Sequence, residues 1–121
     1  QVENKLVIDK YIEQAAIIGD QRKYVSALIV PAYPALKAYA ELTKIKYNSM
    51  EELLQNEKII DFLWGRIQQC QKDLATYEQV KKFTLLAHPF TSENGELTLT
   101  LKLKRKIINQ NYASQIEAMY C

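Results

Sequence analysis

The sequence predicts an α+β fold: a small sheet, made of a β-hairpin plus a further strand or strands, flanked by helices and ending in a C-terminal amphipathic helix. Three observations carry this expectation. Residues 12–18 and 24–30 are short apolar runs rich in β-branched side chains and separated by a polar tip, the pattern of a hairpin. Residues 57–74 and 104–120 instead repeat apolar side chains at helical spacing. The two patterns alternate irregularly along the chain, without the strict strand–helix alternation of a parallel α/β fold.

In chain order, residues 2–8 predict a short helix with Val2 and Leu6 on one side. The first strand over 12–18 stops at Gly19-Asp20, a turn signal, and Gln21-Arg22-Lys23 forms a polar tip in a loop of about four residues. The second strand runs from Tyr24 to Val30 and ends at Pro31, which has no N–H to give to a ladder. Both strands are apolar on both faces, so the hairpin should be largely covered. Pro34 suits the first turn of a helix reaching about Lys44. Ser49 and Glu52 fit a capping box, and Asn56 caps the helix over 57–74. The Ile59, Leu63, Ile67, Cys70, Leu74 stripe of that helix reads as core. Phe83-Thr84-Leu85-Leu86-Ala87 is the third-strand candidate. Asn94-Gly95 supplies a tight turn, and Ile108, Tyr112, Ile116 and Met119 mark one unbroken final helix over 104–120.

Composition narrows the function classes. A chain of 121 residues is one domain, long enough for a core but short for an enzyme that must close around several large substrates. Sixteen Lys and Arg against 14 Asp and Glu leave a net charge of +2, too little for a global field that draws in nucleic acid. No apolar run approaches the roughly 20 residues of a membrane span, and no signal peptide is visible. Val2-Glu3-Asn4-Lys5-Leu6 starts mid-pattern and reads as an internal stretch of a longer protein. Cys70 and Cys121 make no disulfide framework and suit a reducing cytoplasm. His88 is the only histidine, which excludes multi-histidine metal sites and leaves no Ser/His or Cys/His set.

The charge that does accumulate is local. Lys102, Lys104, Arg105 and Lys106 crowd the start of the final helix. Cations there oppose the helix dipole at a cost of roughly 0.3–1 kcal/mol each, so an anion is the natural partner for that corner. The stretch Glu96-Leu97-Thr98-Leu99-Thr100-Leu101-Lys102-Leu103-Lys104-Arg105-Lys106 resembles the last motif of AMP-forming acyl-CoA synthetases, in the form used by the long-chain fatty acid branch. Ile12-Glu13-Gln14-Ala15-Ala16-Ile17-Ile18-Gly19-Asp20 and Tyr24-Val25-Ser26-Ala27-Leu28-Ile29-Val30-Pro31 resemble the hairpin that opens the C-terminal domain of the same enzymes. The order and spacing of both blocks match, so the resemblance covers nearly the whole chain.

The resemblance implies that residues 1–121 are the mobile C-terminal domain of a ligase whose large N-terminal domain is its main partner. By position Lys102 is the catalytic lysine, reaching a site where a fatty acid carboxylate attacks the α-phosphate of ATP. The domain then turns so that CoA can displace AMP. ATP and CoA are the implied substrates, and Mg²⁺ on the pyrophosphate is implied with them. Lys104, Arg105 and Lys106 are candidates for contacts with phosphates of ATP or CoA or with acidic residues on the large domain, or for a solvated face at the helix start. Leu99 stands where the family commonly has proline, which should loosen the loop that presents Lys102. Because the nucleotide site belongs mainly to the large domain, this chain alone is expected to be inactive. Peripheral membrane association of the full-length enzyme is compatible with the resemblance. The alternative from another class is a small basic module that binds nucleic acid or protein. Against nucleic acid, the cluster is short and has no interleaved aromatics for base stacking. Loading of a carrier protein instead of CoA is a third reading.

Overall fold

The computed structural model describes residues 2–19 and 22–120, with Val2 known by its backbone alone. The expectations that fall on Asp20, Gln21, Cys121 and the Val2 side chain lie outside the described residues. The elements are α1 (Val2–Val7), β1 (Ile12–Ile18), β2 (Val25–Pro31), α2 (Tyr33–Leu42), α3 (Met50–Leu54) and α4 (Glu57–Gln71). A 3-10 turn (Thr76–Glu78), β3 (Val80–Leu85), α5 (Arg105–Asn111) and α6 (Ala113–Ala118) follow. The architecture is α+β, as the sequence predicts.

The sheet has the order β1-β2-β3. β1 and β2 are antiparallel, with Ala15 opposite Ile29 and Ile17 opposite Ala27. β3 lies parallel to β2, placing Phe83 beside Ala27 and Leu85 beside Ile29. A parallel neighbour needs a long crossover, and α2 to α4 supply it. β2 is the centre of the fold. Its Leu28 and Val30 pack with Phe90, Leu97, Ile108, Ile116 and Met119. Its Ala27 and Ile29 pack with Leu6, Ile12, Ile67 and Val80 from the other face. Burial on both faces explains why β2 is apolar almost throughout. Leu36, Ala40, Leu53, Leu54, Ile59 and Leu63 form a further cluster among α2, α3 and α4.

The caps fall where the residue types demand them. Ser49 Oγ accepts the Glu52 N–H at 3.1 Å, and Asn56 Oδ1 accepts the Lys58 N–H at 2.8 Å. Three expectations need correction. The third strand begins at Val80, not at residue 83, because buried Gln71 accepts the Val80 N–H at 2.7 Å and donates to its carbonyl at 3.1 Å. The α4 helix ends at Gln71, short of residue 74, where Gln79 Nε2 donates to the carbonyls of Leu74 and Gln71. The final helix is broken in two at Tyr112 (φ −115°, ψ 25°), whose ring meets Phe90 edge-on at 5.7 Å.

Candidate functional site

The basic motif is built upward from a turn and a buried carboxylate. Thr91 Oγ1 accepts the Asn94 N–H at 3.1 Å, and Gly95 takes φ 76°, as the Asn-Gly pair leads one to expect. Glu96 then enters the core at 2% exposure. Its carboxylate accepts the Thr91 N–H at 3.2 Å and Asn111 Nδ2 at 3.1 Å. These donors offset the cost of burying the group. They also fasten the turn to the end of α5. The Tyr112 phenol is pushed above its ordinary pKa by burial first, then by the Glu96 charge beside it.

From Glu96 the chain makes a second hairpin. Leu97 and Leu103 face each other as an antiparallel pair. The Thr98 N–H donates to the Lys102 carbonyl at 2.8 Å, the Leu101 N–H to the Thr98 carbonyl at 2.9 Å, and the Lys104 N–H to the Glu96 carbonyl at 2.8 Å. These bonds close a three-residue loop, 99–101, whose last residue is left-handed. That residue is Leu101, with φ 64°. A left-handed backbone costs a residue with a side chain roughly 1–2 kcal/mol. Thr98 Oγ1 accepts the Lys102 N–H at 3.0 Å and lies 3.1 Å from Thr100 Oγ1. The loop that presents Lys102, with Leu99 at its tip, is a closed hairpin in which the Thr98 side chain joins the backbone bonds.

Alternation along this hairpin sorts its side chains. Leu97 is buried, and Leu103 is half-buried against the same cluster, so both rungs face the core. Lys102 and Lys104, on either side of Leu103, are exposed. Leu99 and Leu101 at the tip are 98% and 72% exposed. Lys106 is exposed in the first turn of α5. Arg105 differs from the three lysines. Its guanidinium meets the Glu3 carboxylate at 2.5 Å and donates to the Ile17 carbonyl at 3.2 Å. Glu3 in turn accepts the Ile17 N–H at 3.0 Å. The Arg105–Glu3 pair thus occupies the outer edge of β1, and the anion that Arg105 finds at this corner comes from α1. Lys102 and Arg105 also line an open groove of about 450 Å³ with Glu3, Glu13, Gln14 and Leu101. Carboxylates and cations share its wall, so it is no dedicated anion pocket.

His88 is exposed, with Nε2 3.9 Å from Glu51. Burial raises the Cys70 thiol above its usual pKa, which works against a reactive thiolate. Among the described residues no three His, Cys, Asp or Glu side chains converge as metal ligands. What the motif presents is an exposed ammonium on a fixed hairpin. Sequence reasoning missed Glu96 and Thr98 as its supports. Period-2 alternation places Glu96 with Thr98, Thr100 and Lys102 on the polar side, so no local signal marks it for burial.

The AMP-binding enzyme C-terminal domain model matches residues 1–121. The chain is 31% identical over 120 residues to the long-chain-fatty-acid–CoA ligase FadD15 of Mycobacterium tuberculosis, covering 98% of this chain and 20% of that protein. It is 32% identical over 123 residues to long-chain-fatty-acid–CoA ligase 5 of Rattus norvegicus, covering 99% and 18%. The chain thus spans about a fifth of the length of the curated relatives it matches. Among solved structures it resembles the adenylation domain of a carboxylate reductase from Mycobacterium chelonae, with a TM-score of 0.77, 26% identity, and coverage of 98% of this chain and 17% of that one. It also resembles the A-PCP didomain of a carboxylic acid reductase from Segniliparus rugosus in complex with AMP, with a TM-score of 0.76, 26% identity, and coverage of 98% and 15%. Sequence and fold agree along the whole chain, which belongs to the AMP-binding enzyme C-terminal domain family.

Proposed function

We propose that this domain is the moving lid of an AMP-forming long-chain fatty acid–CoA ligase and that Lys102 is its catalytic residue. One observation carries the reading: Lys102 is exposed, yet the backbone on which it stands is fixed by Thr98 through two hydrogen bonds, at 2.8 and 3.0 Å. A cation held out on a fixed hairpin suits a site completed by another domain, and the ligases among the relatives are about five times longer than this chain.

In the first step a fatty acid carboxylate oxygen bonds to the α-phosphorus of ATP. The bond to the β-phosphate oxygen breaks, and pyrophosphate leaves. Both reactants are anionic, so an ammonium between them reduces their repulsion and stabilises the charge that develops. Lysine suits the task as a compact charge on a long stem. In the second step the CoA sulfur, having lost its proton, bonds to the acyl carbon and AMP departs. The domain turns between the two steps and carries Lys102 away. Lys104 and Lys106, both exposed, would meet phosphates of ATP or CoA, whereas Arg105 would first have to leave Glu3. Mg²⁺ on the pyrophosphate would be held mostly by the large N-terminal domain. The likeness to the A-PCP didomain favours, as a second reading, a carrier-protein thiol as acceptor. A cysteine content of two in 121 residues suits a reducing cytoplasm, and among the described residues no helix is long and apolar enough to cross a membrane.

The test uses the full-length ligase with its half-reactions assayed apart. Lys102→Ala should slow acyl-adenylate formation by about 10²-fold or more. Thioester formation from supplied acyl-adenylate should stay within a few fold. Lys104→Ala should have a smaller effect on the first step. Equal losses in both half-reactions from Lys102→Ala would mean general damage, and no loss would give the bridging role to another residue.

A further inference from the structure

The tip of the second hairpin carries a feature that a charge-presenting loop does not need. Leu99 and Leu101 are 98% and 72% exposed and belong to none of the core clusters. Leu101 also sits at φ 64°, where glycine fits without strain and asparagine is tolerated. Within this domain the leucine is strained and leaves most of its surface in solvent. Nor can the tip fold back to cover itself. The rungs below it are fastened by the Thr98–Lys102 and Lys104–Glu96 bonds, and Leu97 and Leu103 already face the core.

Resting on the reading of Lys102 given above, we propose that Leu99 and Leu101 are an apolar anchor that seats in a recess of the ligase's own large domain during adenylation. Leu101 is the immediate neighbour of Lys102, and a lysine stem is only about 6 Å long. Wherever the ammonium works, the two leucines must therefore arrive within the same short reach. Seated leucines fix how far the hairpin enters, and so they are positioning residues for Lys102. The tether favours the large domain over other occupants. A linked partner is present at an effective concentration on the order of millimolar. A lipid surface is a weaker match, since even one myristoyl chain gives only marginal membrane binding and two leucines bury less.

The experiment compares Leu99→Ser/Leu101→Gly with Lys102→Ala in the full-length ligase. Glycine keeps the left-handed backbone, so the thermal midpoint should hold or rise. The double variant should lose about tenfold or more in adenylation, with thioester formation from supplied acyl-adenylate within a few fold. Leu99→Met/Leu101→Met should restore most of the rate. Full adenylation by the double variant, with Lys102→Ala still deficient, overturns the anchor and leaves the lysine reading standing. Full adenylation by both variants removes the lysine reading itself. Equal losses in both half-reactions also overturn the anchor. So does intact adenylation with lost co-sedimentation on phosphatidylcholine–phosphatidylglycerol vesicles, which would assign the tip to lipid. A lowered mass by light scattering with intact adenylation would assign it to a second copy.

Discussion

The domain holds two hairpins, and they are built by opposite rules. The β1–β2 hairpin has seven-residue strands, and β2 is buried along almost its whole length by clusters on both faces. The 97–103 hairpin has one pair of facing residues, packs one side on a single cluster, and leaves its tip in solvent. The first is held by its side chains. The second is held mainly by backbone bonds and by the Thr98 hydroxyl. The proposed lid role calls for both: a stiff platform, and a short projection whose side chains remain available to a site on another domain.

The comparison is sharpest in what truncation should do. Ile29→Ala removes a fully buried side chain from the middle strand, at a site walled by Leu6, Ile67 and Val80. It should lower unfolding stability by about 2–5 kcal/mol in urea titrations, since neighbours fixed in secondary structure cannot close the space. A loss under about 1 kcal/mol would mean that the platform yields, and the contrast between the hairpins would fail.

The second hairpin should answer to a smaller change and in a different measurement. Thr98→Val keeps the shape but deletes the oxygen that accepts the Lys102 N–H at 3.0 Å. One such bond contributes about 0.5–1.5 kcal/mol, and an exposed rung adds little to global unfolding. The expected signature is faster hydrogen exchange at the Lys102 amide and a several-fold slower adenylation step, with the unfolding midpoint nearly unchanged. If the midpoint falls as far as in Ile29→Ala, the second hairpin belongs to the platform.

The same division decides what was legible in the sequence. The β1–β2 runs, the Ser49 and Asn56 caps and the Gly95 turn are local signals, and they stand close to where periodicity and residue type place them. What escaped was decided at a distance. The start of β3 depends on the amide of Gln71, and the parallel pairing depends on a crossover of about fifty residues. Arg105 and Glu3 are 102 positions apart. The break at Tyr112, whose ring meets Phe90 from 22 positions away in the chain, has no proline or glycine to announce it. Leu101 is the plainest case: leucine gives no hint of a positive φ, and the closing bonds of the loop impose it.

The smallest expected effect concerns the cluster that the two hairpins share. Tyr33 packs against it, and its hydroxyl donates to the Leu86 carbonyl at 2.7 Å. Burial, with a lesser push from Tyr112, raises the Tyr33 phenol to about 12. An unfolded tyrosine releases its proton near pH 10. Between these values the unfolded chain has already lost a proton that the folded chain keeps. The contribution of Tyr33 is therefore intact below about pH 10 and is lost as pH rises through about 12. Tyr33→Phe should cost roughly 0.5–1.5 kcal/mol at neutral pH, because Leu86 loses its donor. It should also flatten the alkaline limb, so that the wild-type and variant stability curves converge as the pH climbs. Curves that stay parallel from neutral pH to the alkaline end would show that the phenol gives up its proton equally in both states. The shared cluster would then admit water, and the second hairpin would stand on a softer base than the first.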